Sequence, residues 1–269
     1  MTRKLCLITG ASAGIGAALA REFAAHGWDL ALTARRKDRL QDMAEELKAQ
    51  YGVESLIIPA DLTKKTAPKA IMKAVSDAGR QVDGLINNAG YGLPGTFTQP
   101  SWKDHDRFLQ VMLNAPLELC YLALPGMRER RFGRIINVAS LAGHLPGSSG
   151  HTLYGADKSF LIKFSESLNF ENVEHGVHVS ALCPGFTYSE FHDVNDTRPM
   201  VSQMPNYMWK TAEYVAKSGY EAVERNVPVR IPGGVNKTIA AIVKILPDPL
   251  ARSWMKAQSA KFRRQDGDQ

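Results

Sequence analysis

The sequence predicts an α/β domain built on a doubly wound parallel sheet of about seven strands with helices on both faces. Short apolar runs alternate with helix-length amphipathic segments from the first residues to about Cys183. A glycine-rich turn comes immediately after the first of these runs, and a helical segment opens directly beyond it. No Pro/Gly/Ser-rich linker, internal repeat or low-complexity stretch interrupts the pattern, so one domain is expected over 1–264, with a loose tail at 265–269.

The first strand, 4–9, feeds Gly10, Gly14 and Gly16, and a helix rich in Ala and Leu comes next. Glycines let a backbone turn sharply and approach a pyrophosphate, whose charge is received by free N–H groups at a helix start. The spacing is Gly-x-x-x-Gly-x-Gly, with Ser12, Ala13 and Ile15 among the intervening residues, and not the usual Gly-x-Gly-x-x-Gly; a purely structural tight turn is the competing reading. The second strand, 29–34, ends at Ala34, where an NAD-binding dinucleotide fold places an acid against the ribose 2′-hydroxyl. Arg35 and Arg36 stand there instead, and guanidinium forks suit a 2′-phosphate. Alternatively both arginines decorate an exposed helix start, where the helix dipole slightly disfavours them; that cost tilts the reading toward a phosphate partner.

Asp61 and Leu62 come after the third strand, 55–59, and Asn88, Ala89 and Gly90 after the fourth, 84–87. Ligands of open α/β sheets bind beyond the carboxyl ends of strands, where each cluster falls. Asn114 lies in an apolar helical pattern, in which a buried amide must find partners. The fifth strand, 134–139, delivers Ser140 to the same edge. Tyr154 and Lys158 stand at i and i+4, on one face of a helix. A fixed cation beside a phenol favours the phenolate and moves its pKa toward working range. The sixth strand, 177–183, leads into Pro184 and Gly185, and a seventh is expected at 227–231.

The 269 residues are 44% hydrophobic, ample for a buried core. The longest apolar stretches, such as 5–9 and 239–246, fall well short of the ~20 residues that span a bilayer, so no spanning segment is expected. The N-terminus enters its first strand without the apolar core or cleavage site of a signal peptide, and a cytoplasmic location is the expectation. Cys6, Cys120 and Cys183 are far apart among apolar neighbours, as free core thiols are, so neither a disulfide framework nor a metal site is expected. The net charge of +6 and pI near 9.2 come from scattered basic residues, apart from the cluster at 128–131 and the tail at 261–264. These read as solvated helix faces, with no nucleic-acid partner, and the balance suits an anionic cofactor.

Taken together, Thr9-Gly10-x-x-x-Gly14-x-Gly16, Asn87-Asn88-Ala89-Gly90, Asn114, Ser140, Tyr154-x-x-x-Lys158 and Pro184-Gly185 make the chain resemble the short-chain dehydrogenase/reductase family over about residues 3–185. The resemblance implies a Rossmann-type fold in which Tyr154 is the general acid/base and Lys158 binds the nicotinamide ribose and lowers the tyrosine's pKa. It implies that Ser140 hydrogen-bonds the substrate oxygen and that Asn114 supports a proton relay through water. By the same resemblance Gly10, Ser12, Ala13, Gly14, Ile15 and Gly16 wrap the pyrophosphate, and Asp61 with Leu62 meets the adenine. Asn88, Ala89 and Gly90 line the ribose and nicotinamide approach, with Pro184 and Gly185 nearby. Ser189 falls where the family often has a Thr that meets the carboxamide. With Arg35 and Arg36, the implied cofactor is NADP(H), and the implied reaction is hydride transfer to a hydrophobic ketone, aldehyde or 3-oxoacyl compound. Relatives are usually dimers or tetramers built on the helices around Asn114 and Tyr154, so a homodimer or homotetramer is implied.

The chain departs from the family in three places. Between Ser140 and Tyr154 it is one residue longer than many relatives, and 147–150 can absorb the addition, which makes Ser148 or Ser149 a rival for the serine role. Ser replaces the commoner Thr at Ser189. Asp157 stands where Ser is more usual; it could compete for Lys158, although its angular offset on a helix argues against a direct pair. Two other functions share the fold: a dinucleotide-sensing protein without turnover, and a nonoxidative epimerase or dehydratase, for which a longer C-terminal substrate region is expected. Finally, 186–209 mixes Phe186, Tyr188, Phe191, Met200, Met204, Tyr207, Met208 and Trp209 with Pro, Asn and Asp. So apolar a loop is read as a lid over an apolar substrate pocket, with a packed excursion or subunit contact as the alternative.

Overall fold

A computed structural model describes residues 3–93, 95–150, 152–188, 205–253 and 255. In chain order its elements are β1 (Leu5–Thr9), α1 (Gly14–Ala25), β2 (Asp29–Ala34), α2 (Lys37–Tyr51), β3 (Ser55–Pro59), α3 (Ala67–Asp77) and β4 (Gly84–Asn87). Then come α4 (Trp102–Leu109), a π turn (Gln110–Asn114), α5 (Ala115–Glu129), β5 (Gly133–Val138), a 3₁₀ turn (Leu141–His144), α6 (Thr152–Asn172) and β6 (Val177–Leu182). The remainder comprises β7 (Thr187–Tyr188), β8 (Lys210–Thr211), α7 (Ala212–Glu224), β9 (Val229–Arg230) and α8 (Gly234–Ile245).

Among the described residues a seven-stranded, all-parallel sheet runs β3-β2-β1-β4-β5-β6-β9, and β7 pairs with β8 in a separate small sheet. Strand order reverses between β1 and β4, and the carboxyl edge there is where such sheets take ligands. The first six strands match the expected runs to within a residue. The last is shorter than expected, two residues instead of 227–231, and pairs only at Ala181 and Leu182 of β6.

Side-chain alternation explains why both faces need helices. Along β1, Cys6 and Ile8 join one core cluster with Leu19 and Phe23 of α1, Leu40 and Leu47 of α2, and Val215 of α7. Leu5 and Leu7 join the other, with Ile71 and Val75 of α3 and Leu119 and Met127 of α5. Local signals set the ends: Ser101 and Asp104 form a reciprocal capping box at α4, Thr211 caps α7, and Gly52 closes α2 in the left-handed region at φ 64°.

The run Trp102–Glu129 through α4, the π turn and α5 is long and apolar enough to cross a membrane by length and composition, which the uninterrupted apolar stretches did not reveal. Half of its most apolar window is buried, and Leu119, Cys120, Ala123 and Met127 belong to the second core cluster, as in the core helix of a compact domain. The basic cluster at its end is structural: Arg130 meets Asp83 at 3.2 Å, and Arg131 donates to the Glu174 carbonyl at 2.8 Å.

Candidate active site

The glycine turn is assembled by Thr9, a motif residue to which the sequence assigned no role. Its Oγ1 accepts from the backbone N–H groups of Asn88 (3.0 Å) and Ala89 (3.1 Å), locking the ends of β1 and β4 together. Asn88 Nδ2 donates back to the carbonyls of Thr9 (3.0 Å) and Gly10 (3.2 Å). Gly10 and Gly14 have φ of 67° and 56°, which favours glycine, and a Cβ on Gly16 would stand 2.2 Å from the Gly10 carbonyl oxygen. Ala13 offers no side-chain cap to α1, and its first turn carries no acid, so its leading N–H groups face the turn as anion donors. These features fit a pyrophosphate.

Arg35 and Arg36 are exposed just past β2. Arg35 acts electrostatically on Asp61 and Tyr91. Partial burial pushes Asp61 up, but the N–H and hydroxyl of Thr63, with Lys64 and Arg35, outweigh it and hold the carboxyl below its ordinary value. Asp61 accepts from Thr63 N–H at 3.0 Å, and Leu62 is buried in the second core cluster.

At β5 the sheet turns over Ser140, whose Oγ accepts from Ala142 N–H at 3.1 Å and donates to the Pro184 carbonyl at 3.5 Å. The Ser140 side chain also hydrogen-bonds the phenol of Tyr154. It is therefore Ser140 that the fold brings to the tyrosine across the added residue at 147–150. Gly185 comes next, packed so closely that a Cβ would stand 2.6 Å from Asn236 Nδ2.

Three expectations need correction. Asn114 is exposed, not buried; its Nδ2 donates to Gln110 Oε1 at 3.3 Å within the π turn. The extra residue of a π turn rotates the next turn of helix away from the 3.6-residue register on which burial was inferred. Asp157 and Lys158 do pair, at 3.5 Å, because both are buried and the lysine's long stem folds back to its neighbour. Lys158 also donates to the Val138 carbonyl at 3.0 Å, with Nζ 5.6 Å from the Tyr154 ring centre. Burial pushes Tyr154 up to about 12, opposed by Ser140 and aided by the charge of Asp157, where a lysine-lowered value was expected.

Asp157 itself is pushed up to about 6 by burial, against the pull of Lys158. A carboxyl raised above its unfolded value contributes stability that is present below that value and lost as pH rises through the folded one. Asp157→Asn should therefore gain melting temperature relative to the unmodified protein as pH rises from about 4 to about 7, read by thermal melts across that range.

Leu93, Thr96, Phe97, His105 and Leu153 surround a narrow crevice of about 10 Å³ beside Tyr154. His105 was missed: it is buried, stacks on Phe97 at 4.8 Å and shares a short contact of 2.8 Å with the Phe97 carbonyl through Nε2, leaving Nδ1 without a partner among the described residues. A single histidine early in an amphipathic helix gave no signal. Ser189 and residues 189–204 of the apolar loop lie outside the described residues. The ends of that loop are tied by β7 and β8, with Trp209 stacked on Tyr188 (4.8 Å) and near Phe186 (5.5 Å).

The model of the short chain dehydrogenase family matches residues 4–199. The chain belongs to that family, whose members are oxidoreductases using nicotinamide dinucleotides. It is 32% identical over 260 residues to the ketoacyl reductase HetN of Nostoc sp., covering 97% of this chain and 84% of that protein. Among solved structures it resembles a short-chain dehydrogenase from Sphingobium yanoikuyae in complex with NADPH (TM-score 0.79, 29% identity, 91% of this chain and 96% of the other). It also resembles the bulky-bulky ketone specific alcohol dehydrogenase from Comamonas testosteroni (TM-score 0.75, 27% identity, 92% and 96%).

Proposed function

We propose that the protein is an NADPH-dependent reductase of hydrophobic carbonyl compounds. The observation that carries this reading is the hydrogen-bonded Ser140–Tyr154 pair beside Lys158, at the strand edge where the glycine turn ends. NADPH, when bound, supplies the hydride. Tyr154, kept protonated by its burial, donates its proton to the alkoxide oxygen that develops on the substrate. Ser140, whose hydroxyl donates only at 3.5 Å to the Pro184 carbonyl, turns to hold that oxygen as charge develops on it. Lys158 supports the ribose side, and Asn114, exposed at the π turn, carries a proton relay outward. Leu93, Phe97 and Leu153 beside Tyr154 would give a substrate entering there apolar neighbours. A dinucleotide sensor without turnover would have no use for the complete set of Asn114, Ser140, Tyr154 and Lys158.

Ala34 followed by exposed Arg35 supports NADP(H), and the Sphingobium neighbour's NADPH agrees with it. The test is a panel of aldehydes, ketones and 3-oxoacyl compounds with each cofactor, monitored by cofactor absorbance. NADPH should be preferred by about 1–3 kcal/mol, and Arg35→Ala should raise its KM roughly tenfold with little effect on NADH. Equal use of both cofactors by the unmodified enzyme would falsify the assignment. Exposed Tyr121 on α5, with Phe160 and Phe170 on α6, supports a homodimer or homotetramer joined through those helices.

A further inference from the structure

The Asp157–Lys158 pair is an expensive way to fill a core position. Its side chains are 1% and 7% exposed, and apart from the ion pair neither Asp157 oxygen has a hydrogen-bond partner among the described residues. Burial pushes the carboxyl up and the ammonium down, each against the pull of the other, so both shifts run in the direction that desolvation sets. A buried pair of this kind is weak evidence for stability, and its contribution is sought in what it does to the lysine.

Among the described residues, nothing else offers Lys158 a negative charge at neutral pH. On α6, Tyr154 is pushed up to about 12, and Glu166 is held by Lys163 at 2.6 Å. At the end of β6, the Cys183 thiol is likewise pushed up to about 12 by burial. The 3₁₀ turn brings only His144, which burial keeps below its ordinary value. On β5, Arg134 is paired with Glu224 at 3.2 Å, and on β9, Arg230 is occupied by Ser218 and Glu221. The π turn that packs on α6 carries no titratable side chain.

We propose that Asp157 is a positioning residue, the buried counter-ion that keeps Lys158 an ammonium and holds it at the Val138 carbonyl beside Tyr154. Its consequence for turnover rests on the reductase reading above; its electrostatics do not. Loss of the carboxylate leaves a buried lysine without an opposite charge, and such a lysine sheds its proton at lower pH.

The test titrates enzyme labelled with ¹³C at lysine Cε by NMR, with the Lys158 signal assigned through Lys158→Arg. In Asp157→Asn the Lys158 midpoint should move to lower pH by about one unit or more, the scale on which an opposite charge within 4–6 Å acts. Asp157→Ser should give the same shift, which guards against local misfit of the amide. The alkaline limb of kcat/KM for carbonyl reduction should move acidward by the same interval in both variants. A folded variant with an unmoved Lys158 midpoint overturns the proposal. A moved midpoint with an unmoved alkaline limb overturns the positioning role. A moved midpoint in a protein whose unmodified form reduces no carbonyl supports the counter-ion and counts against the reductase reading instead.

Discussion

Tyr154→Phe should lower turnover by at least ~100-fold, the lower scale for losing a general acid, while fold and cofactor affinity persist. The substitution removes one oxygen from a half-buried ring, so packing is retained. What is lost is the phenol that Ser140 hydrogen-bonds and the proton that the developing alkoxide would receive. Ser140→Ala should cost a similar factor, because it removes the hydroxyl proposed to hold the same oxygen. Ser149→Ala, on the added segment, should leave kcat within about twofold of the unmodified enzyme. Single-turnover kinetics with saturating cofactor checks all three; an inactive Ser149→Ala beside an active Ser140→Ala would put the wrong serine at the tyrosine.

The phenol's environment also orders the two directions of reaction. With burial and Asp157 raising Tyr154 to about 12, the protonated form that reduction needs dominates through the neutral range. Alcohol oxidation needs the phenolate, so its kcat/KM should climb with pH above neutrality, whereas reduction stays level up to its own alkaline limb. Burial and the neighbouring carboxylate thus keep the phenol in the protonated form from which reduction starts.

The sheet was legible because its central strands β1, β2, β4, β5 and β6 are short apolar runs buried on both faces, a pattern that survives in one dimension. The glycine turn and the ends of β4 and β5 were legible for a related reason: small or polar residues just past an apolar run mark the carboxyl edge. The failures depended on geometry that spacing does not carry. Asn114 was assigned to the interior because a 3.6-residue register was extended through a helix that holds a π turn. The Asp157–Lys158 pair was discounted because angular offset was counted and side-chain length was not. Lys158 was expected to lower the phenol on the strength of its i,i+4 position, yet its ammonium is drawn to Val138 and Asp157 while burial dominates the tyrosine. His105 became visible only when α4 brought it against Phe97 in the crevice beside Tyr154.

Gly16→Ala should weaken cofactor binding by roughly 10- to 100-fold, the loss that about 1–3 kcal/mol of overpacking at a binding turn would give. A Cβ at this position would stand 2.2 Å from the Gly10 carbonyl oxygen and 2.4 Å from Asn88 Nδ2. The first is backbone and cannot swing aside. The second is held by the carbonyls of Thr9 and Gly10, so moving it unpicks the tie between β1 and β4. Relief therefore requires the turn itself to move, and with it the leading N–H groups of α1 that are placed for a pyrophosphate. Gly14→Ala is the informative control: its φ of 56° costs about 1–2 kcal/mol of backbone strain for any residue with a Cβ, a smaller loss by a different route. Calorimetric titration with NADPH, beside thermal melts of both variants, separates the two. A Gly16→Ala protein that binds NADPH as tightly as the unmodified chain would show that the turn has room the packing denies, and the pyrophosphate would have to sit elsewhere on the sheet edge.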